Sequence, residues 1–396
     1  MSQWEAGRRA AGCVDRERLL RIAERLIAAP SPTGTAAPAL DALGSLLEEE
    51  GFDVERPEGG HPRAPAVVAR LDGTGPGRVL QFDGHLDTVH LPFVPPRVDG
   101  GELRGSGAAD MKGGMAAAVE AMLAVRDAGG LASGSILLVA HDLHEAPWGY
   151  GEQLEALIAQ GIRGNAVLIP EPLCAHLPVA GRGQACWEVT IERDGPPVHE
   201  VMRPEGQPDV IAAGAKLVER LMRLDAELAQ QTDPEAGRSS VFVGLIHAGE
   251  IYNQFPQACR LEGTRRWVPG IGPAEVENEF RGIIDNLARA TGTRIRLRYQ
   301  RVRDAFRLDL GDPIVDDFQS AMEQVNGSRL RPGPKPFVDD GNCFAAWGIA
   351  AITHGPRAGG QHTLEEWASI DDLERVARVY AATAVRYGAR SRDPRR

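Results

Sequence analysis

The run SILLVAHDLHEAPWGYG, residues 135–151, decides how this chain is read. Residues 135–140 are nearly all apolar and show no alternation. A strand of that kind is covered on both faces, as in an α/β sheet flanked by helices. The polar cluster His141, Asp142, His144 and Glu145 follows at once. Ligands of such sheets gather at the carboxyl ends of the strands, so the cluster is a candidate site rim. AVLIP (166–170) repeats the pattern and is followed by Glu171.

Working outward, residues 15–28 carry Leu19, Leu20, Ile22, Ala23 and Leu26 at helical spacing. Residues 36–51 form a second helix ended by Gly51, and 111–128 an Ala-rich helix closed by Gly129-Gly130. PAVVARL and GRVLQFDGH read as strands. IAAITHG (349–355) and a helix over 371–387 resume this style near the end. Between them the pattern changes. CWEVTIER (186–193) alternates like a half-exposed strand. A helix at about 208–224, strands SVFVGLI and ACRLEGTRRWV, a helix at 273–290 and strand RIRLRYQ follow. The order βαββαβ is that of a ferredoxin-like module. The expected layout is an α/β catalytic domain of residues 1–182 and 303–396, with a mixed sheet flanked by helices. Residues 183–302 would form an inserted α+β domain.

The 396 residues suffice for two domains. A net charge of −11 speaks against nucleic-acid binding, which needs clustered Lys and Arg. Five scattered cysteines without a Cys-x-x-Cys favour a reducing, cytoplasmic setting. The sequence has no apolar run of membrane-spanning length and no signal-peptide core at its start. The tail GARSRDPRR reads as frayed.

Several motifs offer metal ligands. In GHLDTV (84–89), His85 and Asp87 share one face of a strand end, where a carboxylate can orient an imidazole. Asp110 lies in the glycine-rich GSGAADMKGG (105–114), before the Ala-rich helix. Glu171 follows a strand, and His362 lies in GGQHTLEEW (359–367). Each alone also reads as an ordinary turn, helix cap or surface residue. Together, two histidines and three carboxylates suit one or two zinc ions, or manganese or cobalt.

These motifs, in this order, resemble the dizinc hydrolase family of aminoacylase, acetylornithine deacetylase, succinyl-diaminopimelate desuccinylase and glutamate carboxypeptidase. The resemblance runs from SPTG near residue 31 to the final helix. It implies that His85 and Glu171 bind one metal, Asp110 bridges, and Glu145 and His362 bind the second. Asp87 would support His85. The inserted domain would be a lid that makes a homodimer. Its His199, in PPVHEVMRPEG, would stabilise the oxyanion. Asn253, Arg266, Asp340 and Arg357 would lie at substrate-binding positions. The implied substrate is a small carboxylate-bearing N-acyl amino acid or dipeptide, hydrolysed at its amide bond.

Two departures stand out. The family usually has Gly-Arg-Gly where this chain has Gly105-Ser106-Gly107. It usually has Asp-Glu-Glu where this chain has Leu143-His144-Glu145. Glu145 lies 35 residues after Asp110, and the resemblance implies that at this spacing Glu145 is the ligand and His144 stands in the place of the general base. His144 could serve as that base, with nearby cations lowering its pKa, or bind metal, or mark a chain that lost activity. His141, three residues back along a strand, would face away. Release of ammonia from an aromatic amine, or metal binding without catalysis, are the alternative functions.

Overall fold

The structure is a computed structural model that describes residues 2–230 and 232–391. The end of the tail, 392–396, lies outside the described residues. The chain divides into two compact units. One comprises Met1–Pro178, Leu308–Gly333 and Asp339–Arg396, the other Val179–Arg307 and Pro334–Val338. These limits lie a few residues from the expected ones, and the return of 334–338 to the second unit has no sequence signal.

The first unit is built on a six-stranded sheet in the order Val54–Glu55, Val67–Asp72, Ser135–His141, Val79–His85, Ala166–Ile169, Ala350–Thr353. The last four run parallel. Every residue of Ser135–His141 is buried, as its unbroken apolar run requires. The register pairs His85 with His141, so two strands deliver their polar ends at one level.

Helix Lys112–Asp127 is buried at every residue from Lys112 to Val125. Its alanines let helices Arg16–Ile27 and Ile370–Gly388 pack closely on it. Glu120 on this buried helix is gripped by Arg18 at 2.7 and 2.9 Å and caps the Asp15 amide at 2.8 Å. The C-terminal helix runs to Gly388, and Arg390 pairs with Asp317 at 2.9 Å. The expectation of a frayed tail is therefore corrected as far as Arg390.

The second unit holds a four-stranded antiparallel sheet in the order Ser240–Ala248, Ala258–Trp267, Gly183–Glu192, Arg294–Arg303. Helices Val210–Leu228 and Pro273–Thr291 cover one face through a core that includes Trp187, Ile191, Leu217 and Phe280. Gly183–Glu192 alternates buried and half-buried residues, which is the expected amphipathic strand.

Helices Gln3–Gly12, Glu152–Ala159 and Pro313–Asn326 were not anticipated. The first carries a Ser2–Glu5 capping box, and the last has an Asp312 cap with Pro313 at its first position. Nor was a small sheet of Ala358–Gly359, Trp367–Ser369, Glu102–Arg104 and Arg97–Asp99, because its strands are too short to show a period.

Candidate metal centre

His85 ends its strand fully buried. Its Nδ1 contacts the Asp87 carbonyl at 3.0 Å, so Nδ1 carries a proton and Nε2 is the atom turned toward the carboxylates. That Nε2 lies 3.1 Å from Asp110 Oδ1 and 3.4 Å from Glu171 Oε1. Asp110 is not a helix cap. The capping position is Met111, and it makes no side-chain cap bond. Instead Asp110 lies between His85 and His362, the latter 3.5 Å from Oδ2.

A glycine permits this approach. A Cβ on Gly114 would sit 2.0 Å from the Pro170 carbonyl oxygen, so only glycine brings the first turn of this helix against the turn bearing Glu171. The Ala109 amide faces Glu366 Oε2 at 3.4 Å, and burial followed by the Asp110 charge pushes the Glu366 carboxyl up to about 7. Glu366 was missed in the sequence. Its position four residues after His362 was the only signal.

The turn after Ser135–His141 is held by the Asp87 carboxylate, which accepts from the His144 and Glu145 amides at 3.1 and 3.0 Å. Asp87 thus fixes the neighbouring loop as well as His85. Leu143 is left-handed at φ 65°, and this bend redirects the next residues of the loop. Glu145 Oε2 reaches His362 Nε2 at 3.2 Å. His144 stacks on His85, with ring centres 3.9 Å apart and planes 6° from parallel. Its Nε2 lies 3.9 Å from Glu171 Oε1, and its Nδ1 lies 2.9 Å from Asp340 Oδ1.

Two expectations are corrected here. Asp340 is fully buried beneath the histidines and takes no place on a substrate pocket wall. His141 does not face away: its Nε2 lies 3.2 Å from the other oxygen of Asp340, because the Leu143 bend brings His144 back over the same carboxylate.

The ligand atoms of His85, Asp110 and Glu145 lie within 4.8 Å of one another, as do those of His85, His144 and Glu171. A family model described as peptidase family M20/M25/M40 matches residues 82–386. The chain belongs to this peptidase family. It is a metallohydrolase that acts on amide bonds. It is 29% identical over 381 residues to a succinyl-diaminopimelate desuccinylase of Methylobacterium sp. (strain 4-46), covering 91% of this chain and 94% of that protein. It is 30% identical over 396 residues to the same enzyme of Rhodopseudomonas palustris (strain BisA53), covering 93% and 98%. Its fold matches a tripeptidase of Staphylococcus aureus with TM-score 0.80 at 20% identity, over 94% of this chain and 99% of that one. It also matches a dinuclear metal-binding peptidase of Bacillus subtilis with TM-score 0.68 at 17% identity, over 93% and 97%.

The electrostatics suit a cation in this M20-family site. Asp110, Glu145 and Glu171 crowd a buried space shared with the imidazoles of His85 and His144. Burial and then the Asp110 charge push Glu171 up to about 8. Hydrogen bonds to Asp110 and Glu145 push His362 up to about 10. For His85, burial disfavours the charge, but hydrogen bonds to Asp110 and Glu171 outweigh it and raise the pKa well above the ordinary value. In the metal-free chain His144 also shifts upward: burial opposes its charge, but the Asp340 carboxylate prevails.

In the second unit His199 and Asn253 meet, Nε2 to Nδ2 at 3.1 Å, where strand Val198–His199 pairs with Gln254–Phe255 and Asn253 immediately precedes the latter. Arg266 is half-buried with an Nη1 that has no hydrogen-bond partner, and burial followed by the Arg182 charge lowers its pKa. Arg357 in the first unit lies 3.4 Å from Asp372, with its guanidinium over the Trp367 ring. No described helix is long and apolar enough to cross a membrane.

Proposed function

We propose that the protein hydrolyses the amide bond of a small N-acyl amino acid or dipeptide bearing a free carboxylate, using two zinc ions. His85, Glu171 and bridging Asp110 would hold one ion, and Asp110, Glu145 and His362 the other. The observation that carries the reading is the convergence of His85, Asp110, Glu145 and Glu171, with His362 against Asp110 and Glu145, beside His144 on Asp340. When bound, the metal ions supply Lewis acidity and acidify water.

His144 is the general base in this reading. Its Nδ1 must donate, since Asp340 can only accept, so Nε2 is left as the proton acceptor on the side of Glu171. His144 receives the water proton there and passes it to the leaving nitrogen. Asp340 holds the ring in that tautomer and stabilises the imidazolium, as a triad carboxylate does. Asp87 keeps the His144–Glu145 turn in place. His199 is assigned to the carbonyl oxygen as charge develops, a role in which its ring donates an N–H. Arg266, with its unpaired Nη1, suits a substrate carboxylate better than a structural role does. Arg357 is kept as a secondary carboxylate contact.

A homodimer through the inserted unit is part of the proposal. Strand Ser240–Ala248 is a sheet edge that exposes Phe242, Leu245 and Ile246, and a second copy would cover it. All five cysteines are free, which favours the cytoplasm. The test is a zinc-loaded enzyme screened on N-succinyl and N-acetyl amino acids and dipeptides, read by amine release. Turnover that a chelator abolishes and zinc restores is expected. Ammonia as the sole nitrogen product, released from an aromatic amine, would replace this reading.

A further inference from the structure

Asp83, His141 and Asp340 form a second cluster of potential ligands, and the proposed hydrolysis uses neither Asp83 nor His141. All three side chains are fully buried. His141 Nε2 lies 3.2 Å from Asp340 Oδ2 and 3.5 Å from Asp83 Oδ2, close enough for charge attraction, yet none of the three atoms has a partner in good hydrogen-bond geometry. At 3.2 Å distance is no obstacle, so direction is what fails.

The opposite atom of each side chain is engaged. His141 Nδ1 lies 3.3 Å from the Asp142 carbonyl, which can only accept, so Nδ1 carries a proton. Gln81 Nε2 donates to Asp83 Oδ1 at 2.8 Å, and His144 Nδ1 lies 2.9 Å from Asp340 Oδ1. This is how an outer shell orients metal ligands: a carbonyl fixes the imidazole tautomer and donors tie back the second carboxylate oxygen. What remains facing inward is one nitrogen and two oxygens.

We propose that Asp83, His141 and Asp340 constitute a third zinc site, distinct from the dinuclear centre. A tetrahedral zinc with bonds of about 2.0–2.1 Å sets neighbouring donors roughly 3.3 Å apart, close to the two separations found here. Two carboxylates and a neutral imidazole cancel the charge of a divalent ion, and that balance matters where no side chain reaches solvent. Calcium and magnesium favour six or more oxygen ligands, whereas an imidazole nitrogen with two carboxylate oxygens suits zinc, whose fourth position a water would fill. The competing occupant is a proton on Nε2, shared off-axis between the carboxylates. The site also bears on the first one, because Asp340 would hold zinc with one oxygen and His144 with the other.

The proposal stands independently of the assigned reaction, and the test compares zinc content by mass spectrometry in wild type and Asp83→Asn after gel filtration. This change keeps the oxygen that Gln81 bonds and replaces the inward one by an amide nitrogen. Wild type is expected to hold about one zinc ion more per chain, whatever the dinuclear occupancy. In parallel, His85→Ala/Asp110→Ala/Glu145→Ala is expected to keep about one zinc ion, which adding Asp83→Asn removes. Equal zinc in wild type and Asp83→Asn overturns the site. Should these variants fail to fold, anomalous scattering at the zinc edge from wild-type crystals decides. A peak among the three side chains is expected, and its absence overturns the proposal.

Discussion

His144 Nδ1 and Asp340 Oδ1 lie 2.9 Å apart, and His144 stands where the family resemblance places a glutamate. A glutamate here would bring its carboxylate against Asp340, and two buried carboxylates at that range cannot both ionise. The histidine and its buried partner therefore form one unit. His144→Glu alone is expected to stay poorly active despite restoring the residue the resemblance calls for. Adding Asp340→Asn is expected to raise kcat above that of His144→Glu. Equal rates in the two variants would mean that Asp340 does not govern this position.

His144→Ala is expected to retain its metal and lose about 100- to 10,000-fold in kcat, the usual range for a general base. Metal content and kcat are measured on the same sample. Loss of the metal would instead make His144 a ligand, and an unchanged kcat would place the base elsewhere.

Asp87→Ala removes the acceptor for the His144 and Glu145 amides. Zinc affinity is expected to fall about 10- to 100-fold, the cost typical of a lost outer-shell partner. Competition with a chelating dye measures this. Unchanged affinity would mean that the turn holds itself.

Zinc affinity should climb with pH. Glu171 is neutral below about 8 and His362 is protonated below about 10 in the metal-free chain, and His85 is shifted in the same direction. Each must lose its proton to bind, so protons compete with the metal at low pH and withdraw as pH rises. Titrations between roughly pH 6 and 9 should show proton release on binding. An affinity independent of pH would contradict the ligand set.

Gly114→Ala is expected to destabilise the protein by about 1–3 kcal/mol, the range for overpacking, because the new methyl meets the Pro170 carbonyl oxygen. Thermal unfolding reads the effect. No change in Tm would show that the helix can withdraw from the Glu171 turn without cost.

Much of this molecule was legible in its residues. The unbroken apolar run 135–140 could only be an inner strand, and CWEVTIER could only be half-covered, since burial on one face or two writes different periods into a strand. His85, Asp110, Glu145, Glu171 and His362 could be picked out because each follows a strand end or lies in a loop of one α/β unit. Spacing could not reveal who lies against whom. The two oxygens of Asp340, nearly 200 positions along from His144, join His141 and His144. That meeting depends on a left-handed Leu143 and on a parallel register that levels His85 with His141. The strands and the inserted module are written in local pattern, and the candidate ligands in the order of the motifs that carry the family resemblance. What lies beneath His144 and how the carboxylates share their charge come from long-range packing, because proton placement depends on neighbours that the chain brings together from afar.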